Sequence, residues 1–290
     1  MRRDVLGSSE FWNEWVDFEY DSIAHRKKID AMPGGDANYR PQYLFELVKS
    51  YFQLILRRYS RGDSKSDLVQ HFGGLLDTWE ESEKLGRNVW TAEQARTRHA
   101  WTVNLDHYIV CFWLTGLALT LNIPDEQWQR LVALMGNEGE DALLDRVIAS
   151  RQSDRKIGTT LCFPKVYQRL LDAVDALPEQ QPKALRVFLD HWFVSLKNAG
   201  HPSFPPSHRT PYWYTFGQIN PEGGAYFGYW CVEAVAVAKA FGIDDSLCLD
   251  HPNYPGDLLM DGRSPRYPDE VAAEQPSAPA RGWLRRLLGK

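Results

Sequence analysis

The sequence predicts an all-α protein of about nine or ten helices, in two related halves that pack as one compact unit. Apolar residues recur at helical spacing along almost the whole chain, and the alternating pattern of strands is scarce. The clearest case is residues 44–59, where apolar side chains follow in steps of three and one. Residues 225–241 have almost no polar face apart from Glu233 and Lys239, which is typical of a helix surrounded by other helices.

The other helices are predicted from apolar spacing and from signals at their ends. Thr91 and Gln94 form a capping box that should open one long helix reaching to about residue 122. Pro164 and Pro182 each suit the first turn of a helix. The remaining predicted helices cover residues 9–28, 68–79, 125–135 and 141–150.

Changes in composition divide the chain into three parts. Residues 150–160 are polar and provide the best internal boundary. We therefore predict an N-terminal helical half over residues 1–150 and a C-terminal helical half over residues 151–262. Residues 263–290, with a Pro- and Ala-rich stretch before a short basic end, are predicted to be a flexible tail.

An internal sequence similarity, called here the internal echo, supports the division into related halves. Residues 111–123 and 231–243 lie 120 positions apart, and each is an apolar helical segment that ends in Ile-x-Asp. The strings LLDTW at residues 75–79 and FLDHW at residues 188–192 are similar as well. Two similar helical halves packed on each other would produce both repeats.

Composition narrows the class of protein. The 290 residues carry a formal charge of −5 at pH 7, which argues against direct nucleic-acid binding, because that normally needs a basic surface. This acidic net charge is compatible with a basic protein partner.

The four cysteines lack zinc spacing and are interpreted as free thiols in a reducing compartment. No apolar signal segment or bilayer-length apolar run is apparent, so we expect a cytoplasmic protein without a membrane partner.

Motifs for catalysis and cofactors are missing from the sequence. It contains no glycine-rich nucleotide loop, no HExxH and no GxSxG. His99 and His107 lie eight residues apart, which is not the spacing of a chelating pair. We therefore expect no cofactor, no metal site and no catalytic residue.

The C-terminal region resembles a known family. The strings YFGYWCVEAVAV, GIDDS and HPNYPGDLL follow one another between residues 226 and 259. They resemble the C-terminal signature of the PoNi family, bacterial immunity proteins paired with polymorphic nuclease toxins. The N-terminal half of the family is matched around YFQLILRRYSRGDSKSDLV and LLDTWEES. The matching signature positions are Tyr229, Trp230, Glu233, Ala234, Ala236, Asp244, Asp245, Tyr254, Pro255 and Asp257.

The resemblance implies a function. It implies a cytoplasmic immunity protein that binds a cognate antibacterial nuclease toxin of the DNase type, delivered by a type VI or related secretion system. Neutralisation would be by stoichiometric occlusion of the toxin domain, without turnover. A homodimer is compatible with the sequence.

Acidic residues provide the candidate toxin contacts. Residues 210–262 contain seven carboxylates against Lys239 alone, so negative charge is concentrated there. We expect Asp244, Asp245 and Asp250 to form one acidic patch and Glu138, Glu140 and Asp141 a second. An alternative for the aspartates at 244 and 245 is turn and cap chemistry. The signature residues expected to shape the fold are Tyr229, Trp230, Glu233, Tyr254, Pro255 and Asp257, the last as the cap of a turn.

Three interpretations of Glu233 are possible from the sequence. An ionised carboxylate on an apolar helix needs a partner, because uncompensated burial is unfavourable by several kcal/mol. It could be an architectural ion pair or hydrogen-bond hub, a toxin contact, or a catalytic group. The alternatives to an immunity protein are a helical enzyme, such as a hydrolase with a site around Glu233, and a general helical adaptor.

Overall fold

The computed structural model describes residues 1–32, 34–219 and 224–268. Within these ranges there is no β-strand; Arg2 and Tyr267 form an isolated antiparallel bridge. Nine of the helices have eight or more residues, so the prediction of an all-α fold is confirmed. In chain order the helices are α1 (Ser9–Asp30), α2 (Arg40–Arg61), α3 (Lys65–Leu68), α4 (Phe72–Val89), α5 (Ala92–His99), α6 (Leu105–Thr120), α7 (Asp125–Met135), α8 (Leu144–Ala149), α9 (Pro164–Asp175), α10 (Gln181–Ser195), α11 (Phe216–Ile219) and α12 (Val232–Phe241).

Local signals set several helix ends as predicted. The capping box is formed: Thr91 accepts a hydrogen bond from the backbone N–H of Gln94, whose side chain accepts one from the N–H of Thr91. Pro164 lies in the first turn of α9, where its missing N–H is not needed. Gly242 ends α12 with φ at 66°, a left-handed conformation that glycine adopts without strain.

Helices α6 and α12 form the centre of the molecule and pack directly on each other. Gly116 lies where they cross: a Cβ atom there would lie 2.8 Å from Val232 Cγ1 and 2.9 Å from Ala236 Cβ. Glycine is therefore required for the two backbones to come this close. Gly116 and Ala236 are 120 positions apart, so the internal echo relates two helices that meet at matching residues.

The remaining long helices surround this central pair. Helix α2 packs between α1 and α4, α4 contacts α7, and α9 packs on α10. Helices α2 and α4 come close at Gly74, where an added Cβ atom would lie 2.7 Å from the hydroxyl oxygen of Tyr51. The two halves thus share one hydrophobic core.

The helix predicted over residues 225–241 begins only at Val232. Residues 225–231 are non-helical but mostly buried, which explains their apolar, aromatic character. Gly228, with φ at 98°, breaks the helical path. Side chains elsewhere satisfy the backbone here: Ser60 donates to the Phe227 carbonyl and Asn253 donates to the Tyr229 carbonyl.

The long helix predicted from residue 91 to residue 122 is also divided. Helix α5 ends at His99 and α6 begins at Leu105. Asn104 causes the break, because its side-chain oxygen accepts from the backbone N–H of His107 while its amide donates to the carbonyls of Thr97 and Arg98. Asparagine at a helix cap thus overrides the continuous apolar pattern.

Candidate functional site

Four of the six predicted toxin-binding carboxylates lie on the surface. Asp244 is exposed and accepts hydrogen bonds from the N–H and hydroxyl of Ser246, so it also has the predicted turn chemistry. Asp250 is 78% exposed and pairs with Arg186 at 2.6 Å. Glu138 and Glu140 are exposed in the loop that precedes α8. No hydrogen bond or ion pair among the described residues joins the two groups.

Asp141 is buried, so its predicted place in an exposed acidic patch is wrong. Its Oδ1 atom accepts from the Tyr108 hydroxyl at 3.1 Å and from the backbone N–H groups of Leu143 and Leu144. Its Oδ2 atom accepts from the N–H of Cys162 at 2.8 Å. The carboxylate therefore caps the start of α8, which begins at Leu144 and not at residue 141 as predicted.

Asp245 is 3% exposed and is likewise unsuited to a surface patch. Its Oδ2 atom accepts from the Tyr254 hydroxyl at 2.7 Å, and its Oδ1 atom pairs with Arg263. Asp245 and Tyr254, two positions of the C-terminal signature, thus hold each other inside the fold.

Asp257 is fully buried between the two ends of the described chain. Its Oδ2 atom accepts from Arg3 Nε at 2.6 Å and also pairs with Arg266, while its Oδ1 atom accepts from the Ser264 N–H. Burial raises the pKa of Asp257, but the Ser264 N–H and the two guanidinium groups outweigh burial and hold the pKa below its ordinary value. Asp257 is thus an ion-pair centre and not the turn cap that was expected.

The same contacts correct the predicted tail. Arg263, Ser264 and Arg266 all bond to buried aspartates, so the first residues beyond Gly262 are part of the body. The rest of the predicted tail, from residue 269 onward, lies outside the described residues. The roles of Arg3, Arg263 and Arg266 were not predicted from the sequence. The available signal was the basic character of residues 2–3 and the two arginines within residues 263–266.

Glu233 is fully buried near the start of α12, where α9 and α10 meet it. Its Oε1 atom accepts from the Tyr167 hydroxyl at 2.9 Å and from Trp192 Nε1 at 3.3 Å. Its Oε2 atom has no partner among the described residues, and no lysine or arginine there pairs with it. Burial raises the pKa of Glu233, and the neutral donors around it lower that pKa by less.

The surroundings of Glu233 argue against a catalytic role. The side chain has no exposed surface and is packed among aromatic and apolar side chains, so a substrate has no path to it. No group of three or more His, Cys, Asp or Glu side chains in the described residues is arranged to hold a metal ion. Within the same ranges, no helix is both long and apolar enough to cross a membrane.

Comparisons with known proteins agree with this architecture. The N-terminal domain of PoNe immunity proteins (PoNi) matches residues 3–133, and the C-terminal domain of the same family matches residues 139–258. The crystal structure of protein PA2201 from Pseudomonas aeruginosa is similar in fold, with a TM-score of 0.60, 18% identity, and coverage of 87% of this chain and 88% of that one. No curated protein matches the chain. Because the two family domains together span nearly the whole described chain, the protein belongs to the PoNi family of immunity proteins.

Proposed function

We propose that this chain binds the cognate nuclease toxin domain in the cytoplasm and neutralises it by stoichiometric occlusion. The toxin would be a DNase delivered by a type VI or related secretion system. The observation that carries the proposal is the match of both family domains, over residues 3–133 and 139–258.

The chemistry of the buried carboxylates supports occlusion over turnover. Asp141, Asp245 and Asp257 are engaged by internal hydrogen bonds and ion pairs, and Glu233 is sealed in the core. These groups stabilise the fold and are out of reach of a substrate. Activity against a toxin would therefore come from the outer surface of the protein.

Charge supports a nuclease as the partner. A nuclease needs a basic surface to bind phosphates, and this chain carries a formal charge of −5. Opposite charge steers association and orients the partners. A standard interface of about 1,600 Å² is available on a chain of this size. Four of the originally predicted contacts remain candidates: Asp244, Asp250, Glu138 and Glu140.

The test is a titration of nuclease activity. The product of the reading frame beside this chain's gene is purified as the candidate toxin domain and incubated with increasing amounts of the chain, and DNA cleavage is measured. We expect activity to fall linearly to zero at a fixed molar ratio, with no loss of inhibition on preincubation of the chain with DNA. Inhibition that continues to grow with time at substoichiometric chain would indicate turnover and contradict the proposal, as would the absence of a complex.

A further inference from the structure

Helix α1 presents a row of carboxylates to solvent. Glu10, Glu14, Asp17 and Asp21 are all exposed. Their spacing of four, three and four residues places them on one face of the helix. The row extends over three turns and contains no basic residue.

These carboxylates differ from most acidic groups on the surface because they are not paired. None of the four has a hydrogen bond or ion pair with a described residue. The hydrogen bond to Asp63 is the main cause of the raised pKa of Arg61, and the charge of Asp17 adds a smaller effect without a direct contact. Several other exposed acidic groups have arginine partners, as Asp125 has in Arg151.

Apart from Glu10 in the first turn, the carboxylates of this row do not stabilise the helix. Like charges three and four residues apart destabilise a helix. The helix dipole favours Glu10 in the first turn, but Asp17 and Asp21 lie beyond its reach. On the inner face of the same helix, Glu19 is buried and paired with Arg57. On α1, the buried carboxylate therefore has an ion-pair partner within the fold, whereas the exposed carboxylates have none and are accessible to a partner protein.

Exposed apolar side chains lie in the segment just before this row and at the end of α11. Val5 and Leu6, in the segment that leads into α1, are 46% and 52% exposed. Leu6 lies against α11, since a Cβ atom added to Gly217 would lie 3.1 Å from Leu6 Cδ1. Ile219, at the end of α11, is 76% exposed. Apolar area bordered by charge is typical of a protein-binding surface.

We propose that the outer face of α1, with the apolar patch of Val5, Leu6 and Ile219, is the surface that binds the basic, phosphate-binding face of the nuclease toxin. This inference rests on the proposed function and names its contact surface. The carboxylate row would pair with the lysines and arginines that hold phosphates, and the patch would exclude water beside them. The carboxylates of the row have no internal partner and can pair with basic residues of the toxin, whereas Asp250 already pairs with Arg186.

The experiment compares two neutralised variants of the full chain. The first is Glu14→Gln/Asp17→Asn/Asp21→Asn on α1. The matched control is Glu126→Gln/Asp172→Asn/Glu179→Gln, which removes the same charge from exposed positions elsewhere. Association with the toxin domain encoded beside this gene is measured by stopped flow between about 50 mM and about 500 mM salt.

We expect the α1 variant to associate about tenfold more slowly at low salt, with a flatter salt dependence and a melting temperature at or slightly above that of the wild type. The control should associate like the wild type. A third variant, Ile219→Ser, should dissociate faster while its association rate stays the same.

An α1 variant that binds with wild-type rates, or a control that slows equally, would overturn this assignment while leaving the proposed function intact. A wild-type chain that forms no complex with the toxin domain would overturn both.

Discussion

Glu233 and Asp257 are both fully buried carboxylates of the C-terminal signature, but their surroundings differ. Glu233 lies among neutral donors where α9, α10 and α12 meet. Asp257 lies between Arg3 and Arg266, where the two ends of the described chain come together. The same side-chain chemistry therefore serves as a hydrogen-bond hub in one place and as an ion-pair centre in the other.

The contrast appears in the direction of the two pKa shifts. At Glu233 burial dominates and raises the pKa, whereas at Asp257 the arginines and the Ser264 N–H outweigh burial and lower it. A raised carboxyl pKa means that ionisation opposes folding, and a lowered one means that ionisation favours it. Position in the signature thus does not define a residue's energetic role; the partners that the fold supplies do.

The largest effect is expected from Asp257→Asn. Arg3 has 1% of its side chain exposed, and the substitution would leave that buried charge without its main counterion. Removing one partner of a buried pair destabilises by about 3–5 kcal/mol. Urea unfolding measures the change. Asp261→Asn is the control, because Asp261 is half exposed and lies 3.5 Å from Arg3; equal effects of the two substitutions would mean that Asp257 is not the ion-pair centre.

Truncation should give the next largest effect. Ending the chain after Gly262 removes Arg263, Ser264 and Arg266, and with them the ion-pair partner of Asp245 and part of the Asp257 centre. The side chains of Arg263 and Arg266 are each 25% exposed, so solvent weakens their ion pairs relative to the buried pair of Arg3 and Asp257. We therefore expect a clear fall in melting temperature that is smaller than the fall caused by Asp257→Asn. Such a fall would be at odds with the prediction from sequence that the whole of residues 263–290 is a flexible tail. Ending the chain after Pro268 retains these contacts, and a fall as large as that of the shorter chain would refute the explanation.

The smallest effect should come from Glu233→Gln, and it should depend on pH. Tyr167 and Trp192 can still donate to the amide oxygen, so the free energy of unfolding should change by about 1 kcal/mol or less near neutral pH. In the wild type, stability should fall as pH rises from the ordinary glutamate pKa of 4.5 to the raised folded value, because in this range the folded state still holds a proton that the unfolded state has released.

The variant lacks this ionisation, so its stability relative to the wild type should improve as pH rises. Urea unfolding from about pH 4 to about pH 8 measures the trend. A relative stability that worsens with rising pH would show that Glu233 is stabilised as a charge, as Asp257 is.

The helical character and many of the helix boundaries could be predicted from the sequence alone. The period of the apolar residues and the helix-capping motifs are properties of short stretches of sequence. The capping box at Thr91, the first-turn Pro164 and the helix end at Gly242 were therefore all predictable. The family resemblance was readable from a signature of fixed order. The echo between residues 111–123 and 231–243 pointed to the two helices that pack at the centre.

Which acidic residues are buried and which are exposed depends on the tertiary structure. Asp244 and Asp245 are neighbours in sequence, yet one is exposed and the other is 3% exposed and paired with Arg263. Arg3 and Asp257 are 254 positions apart and pair at 2.6 Å. Burial of a charge is favourable only when a partner is brought to it, and that partner comes from a distant part of the chain, which local spacing does not encode.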